Sequence, residues 1–108
     1  MTVPIIKQKF RVLAACALGA SISFFVKNLI EAARKRDIEL EVITMTIDQV
    51  HHANLDDYDL ILVAPQVRFH ANELRKRTKK PVVEIDRLHY AIGDGESAFV
   101  KLLPILKG

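Results

Sequence analysis

The sequence predicts an α/β fold in which four parallel strands form one sheet with helices on both faces. Residues 60–64 are a continuous apolar run, which is typical of a central strand buried on both sides. Strand-like and helix-like segments alternate along the chain, and this alternation favours βαβ units with right-handed crossovers. A chain of 108 residues fits one domain, so we assign residues 1–108 to a single domain.

The first strand and the first helix have the clearest patterns. Residues 10–15 are apolar except for Arg11, which predicts a buried strand. A helix beginning near Ala20 is predicted next, because apolar residues recur at the three-and-four spacing of one helical face. This face consists of Ile22, Phe25, Val26, Leu29, Ile30 and Ala33.

The second strand and the second helix are shorter signals. Residues 38–44 alternate between apolar and polar side chains, which predicts a strand at the edge of the sheet. Thr46 and Gln49 have the spacing of a capping box, in which each side chain accepts a hydrogen bond from the backbone N–H of the other residue. A short helix is therefore expected over residues 47–53.

The second half continues the same alternation. Pro65 is well placed to open a helix after the third strand, because its fixed φ suits a first helical turn. Residues 81–85 predict a fourth strand, residues 86–95 a loop rich in turn residues, and residues 96–106 a last helix in which Pro104 causes a bend or fray. The inner face of the helix after Pro65 would consist of Val67, Ala71, Leu74 and Thr78.

Charge and cysteine content restrict the kind of protein. The chain has 16 basic and 13 acidic side chains and a net charge of +3, which suits anionic partners but is too small to predict nucleic-acid binding. One cysteine cannot form an internal disulfide, so we expect a reducing, cytoplasmic location. The longest uncharged run, residues 12–26, is too short and too polar to span a bilayer, so no membrane insertion is expected.

The only cysteine, Cys16, lies between the first strand and the first helix. Unpaired backbone N–H groups and the positive end of the helix dipole at such a junction favour a thiolate and can hold a phosphate. Gly19 lets the backbone approach an anion, and Ser21 and Ser23 can cap the helix or donate to phosphate oxygens. We predict that Cys16 carries a phosphoryl group.

Spacing argues against several other phosphate or redox sites. The loop lacks the Gly-Lys of a Walker motif, the three glycines of a dinucleotide fingerprint and the second cysteine of a thioredoxin pair. A cysteine phosphatase needs an arginine six residues after its nucleophile, and that position is Ile22. A loop without this clamp should store a phosphoryl group rather than hydrolyse it. Two alternatives stay open: an enzyme like a cysteine phosphatase or arsenate reductase, and a non-enzymatic flavodoxin-like regulatory module in which Cys16 only packs.

Other polar residues give weaker signals. Arg68, in the turn after the third strand, is a candidate accessory residue that would orient a phosphate or a partner. His51 and His52 are adjacent and do not share a helical face, so we predict no metal site. The basic run at residues 75–80 is interpreted as a solvated helix end that complements the dipole.

Two motifs together resemble one protein family. Residues 16–23 read Cys-Ala-Leu-Gly-Ala-Ser-Ile-Ser, and residues 58–68 end in Ala-Pro-Gln-Val-Arg. With Ile85-Asp86, Tyr90, Gly93 and Gly95 in the last loop, they resemble the cytoplasmic B component of the lactose/cellobiose family of bacterial sugar phosphotransferase systems. The resemblance covers roughly residues 10–103. It implies a flavodoxin-like fold, similar to that of low-molecular-weight phosphatases, with a phosphate loop after the first strand.

The resemblance implies a role for Cys16. It would accept a phosphoryl group from a phosphohistidine of the A component and pass it to a sugar, such as cellobiose or another β-glucoside, held by the membrane-embedded C component. No metal or organic cofactor is implied. Ile22 stands where the family usually has threonine, which removes one hydroxyl donor. The implied phosphate cradle, or P-loop, consists of Ala17, Leu18, Gly19, Ala20, Ser21, Ile22 and Ser23.

Overall fold

A computed structural model describes residues 8–17 and 22–108, and it contains the predicted parallel sheet. Strand β1 (Gln8–Cys16) pairs in parallel with both β2 (Ile38–Thr46) and β3 (Leu60–Val63). Strand β4 (Val82–Glu84) pairs with β3 on the far side. The order β2-β1-β3-β4 confirms that the second strand lies at an edge. The strand order therefore reverses between β1 and β3, because the connection after β1 leads to one side of it and the connection after β2 leads to the other.

Five α-helices and two 3₁₀ turns connect and cover the strands in the described part of the chain. All four residues of β3 and the last five of β1 are buried, so the centre of the sheet is covered on both faces. Helix α1 buries four of the six residues of its predicted face, leaves Val26 and Ile30 half-buried, and packs against α5. The helices are α1 (Ile22–Arg34), α2 (Ile47–His51), α3 (Ala71–Arg77), α4 (Arg87–Ile92) and α5 (Gly95–Lys107), and the 3₁₀ turns are Leu55–Asp57 and Pro65–His70.

The predicted capping box begins α2. The Gln49 N–H donates to Thr46 Oγ1 at 3.3 Å, and the Thr46 N–H donates to Gln49 Oε1 at 3.0 Å. The helix ends at His51, two residues earlier than predicted. Arg77, at the end of α3, donates to the carbonyls of Val50 and Ala53, which connects α3 to the end of α2.

The predicted loop at residues 86–95 is wrong, because most of this segment is helical. Asp86 Oδ1 accepts hydrogen bonds from the Leu88 N–H at 2.9 Å and the His89 N–H at 3.1 Å, which starts α4. Gly93 ends α4 in the left-handed conformation, with φ of 68°. The helix has no fully buried residue, and its six residues are too few for the repeated apolar spacing by which α1 is identified.

Two further elements differ from the sequence prediction in detail. Pro65 opens a 3₁₀ turn, Pro65–His70, and the α-helix begins only at Ala71. Val67, inside that turn, has non-helical angles (φ −122°, ψ 20°), so the α-helical hydrogen bonding cannot start there. At the other end of the chain, Pro104 lies inside α5, which continues to Lys107.

Acid should destabilise the fold through the caps of α4 and α5. Backbone N–H groups hold the pKa of Asp86 and of Asp94 below the usual value of 3.8, with His89 the main donor to Asp86 and Ser97 to Asp94. A lowered pKa in the folded state adds stability above the unfolded-state pKa, and this stability is lost as the pH falls through the folded-state pKa. We therefore expect the free energy of unfolding to fall below about pH 4.

The double variant Asp86→Asn, Asp94→Asn tests this expectation, because asparagine still caps a helix but does not titrate. Urea unfolding at neutral pH and near pH 3 should show a smaller loss on acidification in the variant than in the wild type. Equal losses would contradict the assignment of acid sensitivity to these two caps.

Candidate functional site

Cys16 lies at the carboxyl edge of the sheet, beside the point where the strand order reverses. It is the last residue of β1 and stands in register with Thr46 of β2. On the other side of β1, the Ala64 N–H donates to the carbonyl of Ala15 at 2.9 Å, so the turn beginning at Pro65 starts next to the cysteine. Ligands of doubly wound folds bind at this kind of position. The predicted placement of Cys16 and of the turn after β3 at one edge is confirmed.

The surroundings of the sulfur differ from those expected. Cys16 is only 3% exposed, and its Sγ donates to the carbonyl of Met45 at 3.4 Å. Burial raises the pKa of the Cys16 thiol. Burial therefore opposes the thiolate, because desolvation penalises the charged form. The loop N–H groups that were predicted to favour the thiolate belong to residues 18–21, which lie outside the described residues. Burial agrees with the packing alternative, although the neighbours of the sulfur include a backbone carbonyl as well as hydrocarbon.

The predicted phosphate cradle falls only partly within the described residues. Leu18, Gly19, Ala20 and Ser21 lie outside them. Ala17 and Ser23 are exposed, at the end of β1 and in the first turn of α1 respectively.

The Ile22 side chain packs into the core of the protein. It is 1% exposed and belongs to the hydrophobic core. Because Ile22 is the first residue of α1, its backbone N–H has no acceptor within the helix. Any contribution of Ile22 to phosphate binding therefore has to come from its backbone.

Arg68 shares a surface depression with a second arginine that sequence reasoning missed. Arg68 and Arg87 both line it, and both residues are exposed. Arg87 is the first residue of α4, and it was missed because this segment was predicted to be a loop. The complete lining is Pro65, Gln66, Arg68, Phe69, Arg87, Tyr90 and Ala91.

The histidines and the basic run have structural contacts. His51 Nδ1 lies 3.6 Å from Glu73 Oε1, and within residues 8–17 and 22–108 no cluster of three potential ligands could hold a metal ion. His89 is 15% exposed in its side chain, and its Nδ1 has no hydrogen-bond partner among the described residues. Arg75 and Arg77, from the basic run, bind backbone carbonyls of neighbouring elements.

Among the described residues, none of the helices has the length and apolar character that a membrane span requires.

Comparison with known proteins shows the family of this chain. The family model described as "PTS system, Lactose/Cellobiose specific IIB subunit" matches residues 11–101. The chain belongs to this family. It is thus a subunit of a phosphotransferase system that transports sugar, as the resemblance of its two motifs predicted.

Relatives of the IIB family share both sequence and fold with this chain. The oligo-β-mannoside-specific EIIB component of Bacillus subtilis is 27% identical over 99 residues, which are 89% of this chain and 95% of that protein. The lactose-specific IIB domain of Streptococcus pneumoniae superimposes with a TM-score of 0.75 at 20% identity, over 90% of this chain and 97% of that domain. The cellobiose-specific IIB component of Borrelia burgdorferi gives 0.70 at 24% identity, over 92% and 93%. These structures confirm the flavodoxin-like IIB fold.

Proposed function

We propose that this IIB subunit carries a phosphoryl group on Cys16 between a phosphorylated A component and a sugar bound by the membrane-embedded C component. The observation that carries the proposal is the position of the only cysteine, at the end of β1 where the strand order reverses, in a chain of the IIB family. In this fold that position is where ligands approach the sheet.

The first transfer is an in-line displacement at phosphorus. The Cys16 sulfur attacks the phosphohistidine, the P–N bond breaks as the P–S bond forms, and the freed imidazole nitrogen takes the thiol proton. This fate of the proton matters because burial raises the pKa of the thiol and so favours its protonated form. Backbone N–H groups at the start of α1 would stabilise charge on the equatorial oxygens.

The second transfer regenerates the thiol. A sugar hydroxyl attacks phosphorus, the P–S bond breaks, and the hydroxyl proton returns to the sulfur. The relatives are named for lactose, cellobiose and oligo-β-mannoside, all of which contain β-glycosidic links. We propose a sugar of this class, such as cellobiose, and action in the cytoplasm.

The residue six positions after Cys16 favours storage of the phosphoryl group over its hydrolysis. A phosphatase would place a guanidinium there to clamp the transferring phosphoryl group. Ile22 occupies this position, and its side chain is buried in the core. The phosphatase alternative would gain from turnover of phenyl phosphate by the wild type that is lost in Cys16→Ala.

Mass spectrometry of the chain after incubation with its phosphorylated A component tests the proposal. The wild type should gain one phosphoryl group, and peptide mapping should place it on Cys16. Cys16→Ser is the matched control, since it replaces only the sulfur, and it should gain no phosphoryl group. A phosphoryl group on another residue, or equal labelling of the serine variant, would refute the role of Cys16.

A further inference from the structure

Two arginines differ from the rest in having no partner among the described residues. The chain has seven arginines, all within the described residues. Arg68 and Arg87 make no hydrogen bond or ion pair with any residue that the structure describes. The other five bind carboxylates, an amide oxygen or backbone carbonyls: Arg11, Arg34, Arg36, Arg75 and Arg77.

Arg68 and Arg87 share a surface with an exposed aromatic ring. Arg68 and Arg87 line one depression together with Phe69, whose side chain is 74% exposed. The next residue of α4, Leu88, is also 64% exposed. We call Arg68, Phe69 and Arg87 the arginine surface. Aromatic and arginine side chains are the types that most often dominate the binding energy of protein interfaces.

The arginine surface lies at the same edge of the sheet as Cys16. The turn Pro65–His70 follows β3 directly and contacts β1, whose last residue is the cysteine. Arg87 begins α4, three residues after β4 ends. A protein that reaches Cys16 from this edge would therefore meet both guanidinium groups.

The charge of the surface selects between the two partners of the proposed cycle. The phosphoryl donor brings an anion, and guanidinium groups bind phosphate and carboxylate oxygens well. The accepting sugar hydroxyl is neutral. We infer that the arginine surface docks the phosphorylated A component, through acidic groups around its phosphohistidine. This inference rests on the proposed function.

Charge reversal tests the inference. The initial rate of phosphoryl transfer from the A component to Cys16 is measured at subsaturating donor for Arg68→Glu and Arg87→Glu. Each should be slower than the wild type by roughly tenfold or more, and the rate of the double variant should depend less on salt concentration. Lys79→Glu is the matched control, because Lys79 is an exposed cation that precedes β4 at the opposite edge of the sheet. Its rate should stay within about twofold of the wild type.

The outcomes separate this inference from the proposed function. If wild-type Cys16 gains no phosphoryl group, the proposed function fails. If it does, and the two arginine variants transfer as fast as Lys79→Glu, only the docking surface is refuted. Variants that accept normally but fail to pass the group to sugar in vesicles containing the C component would also refute it. Arg68→Gln and Arg87→Gln, which remove charge without reversing it, should show smaller losses in the same direction.

Discussion

We expect iodoacetamide to alkylate Cys16 at least roughly tenfold more slowly in the folded chain than in the chain unfolded in urea. The side chain is 3% exposed, its Sγ donates to the Met45 carbonyl, and burial raises the pKa of the thiol. Only the thiolate is a good nucleophile, so a raised pKa and restricted access act in the same direction. The measurement is the time course of the mass increase at mildly alkaline pH, with and without urea.

A free thiol such as glutathione, alkylated under both conditions, corrects for any direct effect of urea on the reagent. Cys16→Ser should gain no mass and shows that only the cysteine is labelled. Equal corrected rates in the folded and unfolded chains would contradict the buried, protonated thiol. Slow alkylation together with fast phosphoryl transfer would show that docking of the donor opens access to the sulfur. If both are slow, the alternative in which Cys16 only packs gains.

The parts of the fold that could be predicted are those with a strong periodic signal. The buried run of β3 consists of consecutive apolar residues, and the amphipathic face of α1 consists of apolar residues at regular helical spacing. The start of α2 could be predicted for another reason, since Thr46 and Gln49 form a local pair that needs no tertiary contact. Such signals are contained in short stretches of sequence.

Helix α4 could not be predicted in this way because it has only six residues and none of them is fully buried. Its end signals were present, namely Asp86 at the N-cap and Gly93 in the left-handed conformation after the last turn. The same residue types also form turns, and only six residues separate them. Over so few residues, the local sequence did not distinguish a short helix from a loop.

The position of Cys16 followed from the order of the elements, but its chemistry did not. Burial raises the pKa of the thiol, and the sulfur donates to the carbonyl of Met45, a residue of the neighbouring strand that is remote in sequence. The same holds for Arg68 and Arg87. Their type was visible in the sequence, but the absence of partners among the described residues and their shared surface arise only from packing.

Gly95→Ala should destabilise the fold by about 3 kcal/mol, because it inserts a methyl group between two packed helices. Gly95 is the first residue of α5, and a Cβ there would lie 2.3 Å from the backbone carbonyl carbon of Asn28 and 2.3 Å from the backbone nitrogen of Leu29. Both atoms belong to the middle of α1, which cannot move locally as a side chain can. Urea unfolding of the variant and the wild type measures the loss.

Gly93→Ala is the informative control, because it adds the same methyl group two residues earlier. Its Cβ would meet the ring of Phe24 at 2.1 Å, but that side chain is 60% exposed and can turn away. The remaining cost is the left-handed backbone conformation of residue 93, about 1–2 kcal/mol. We therefore expect Gly95→Ala to lose more stability than Gly93→Ala, and the reverse order would contradict close backbone packing of α1 on α5. Since α1 starts at Ile22, six residues after Cys16, a shift of this helix in Gly95→Ala should also slow phosphoryl transfer.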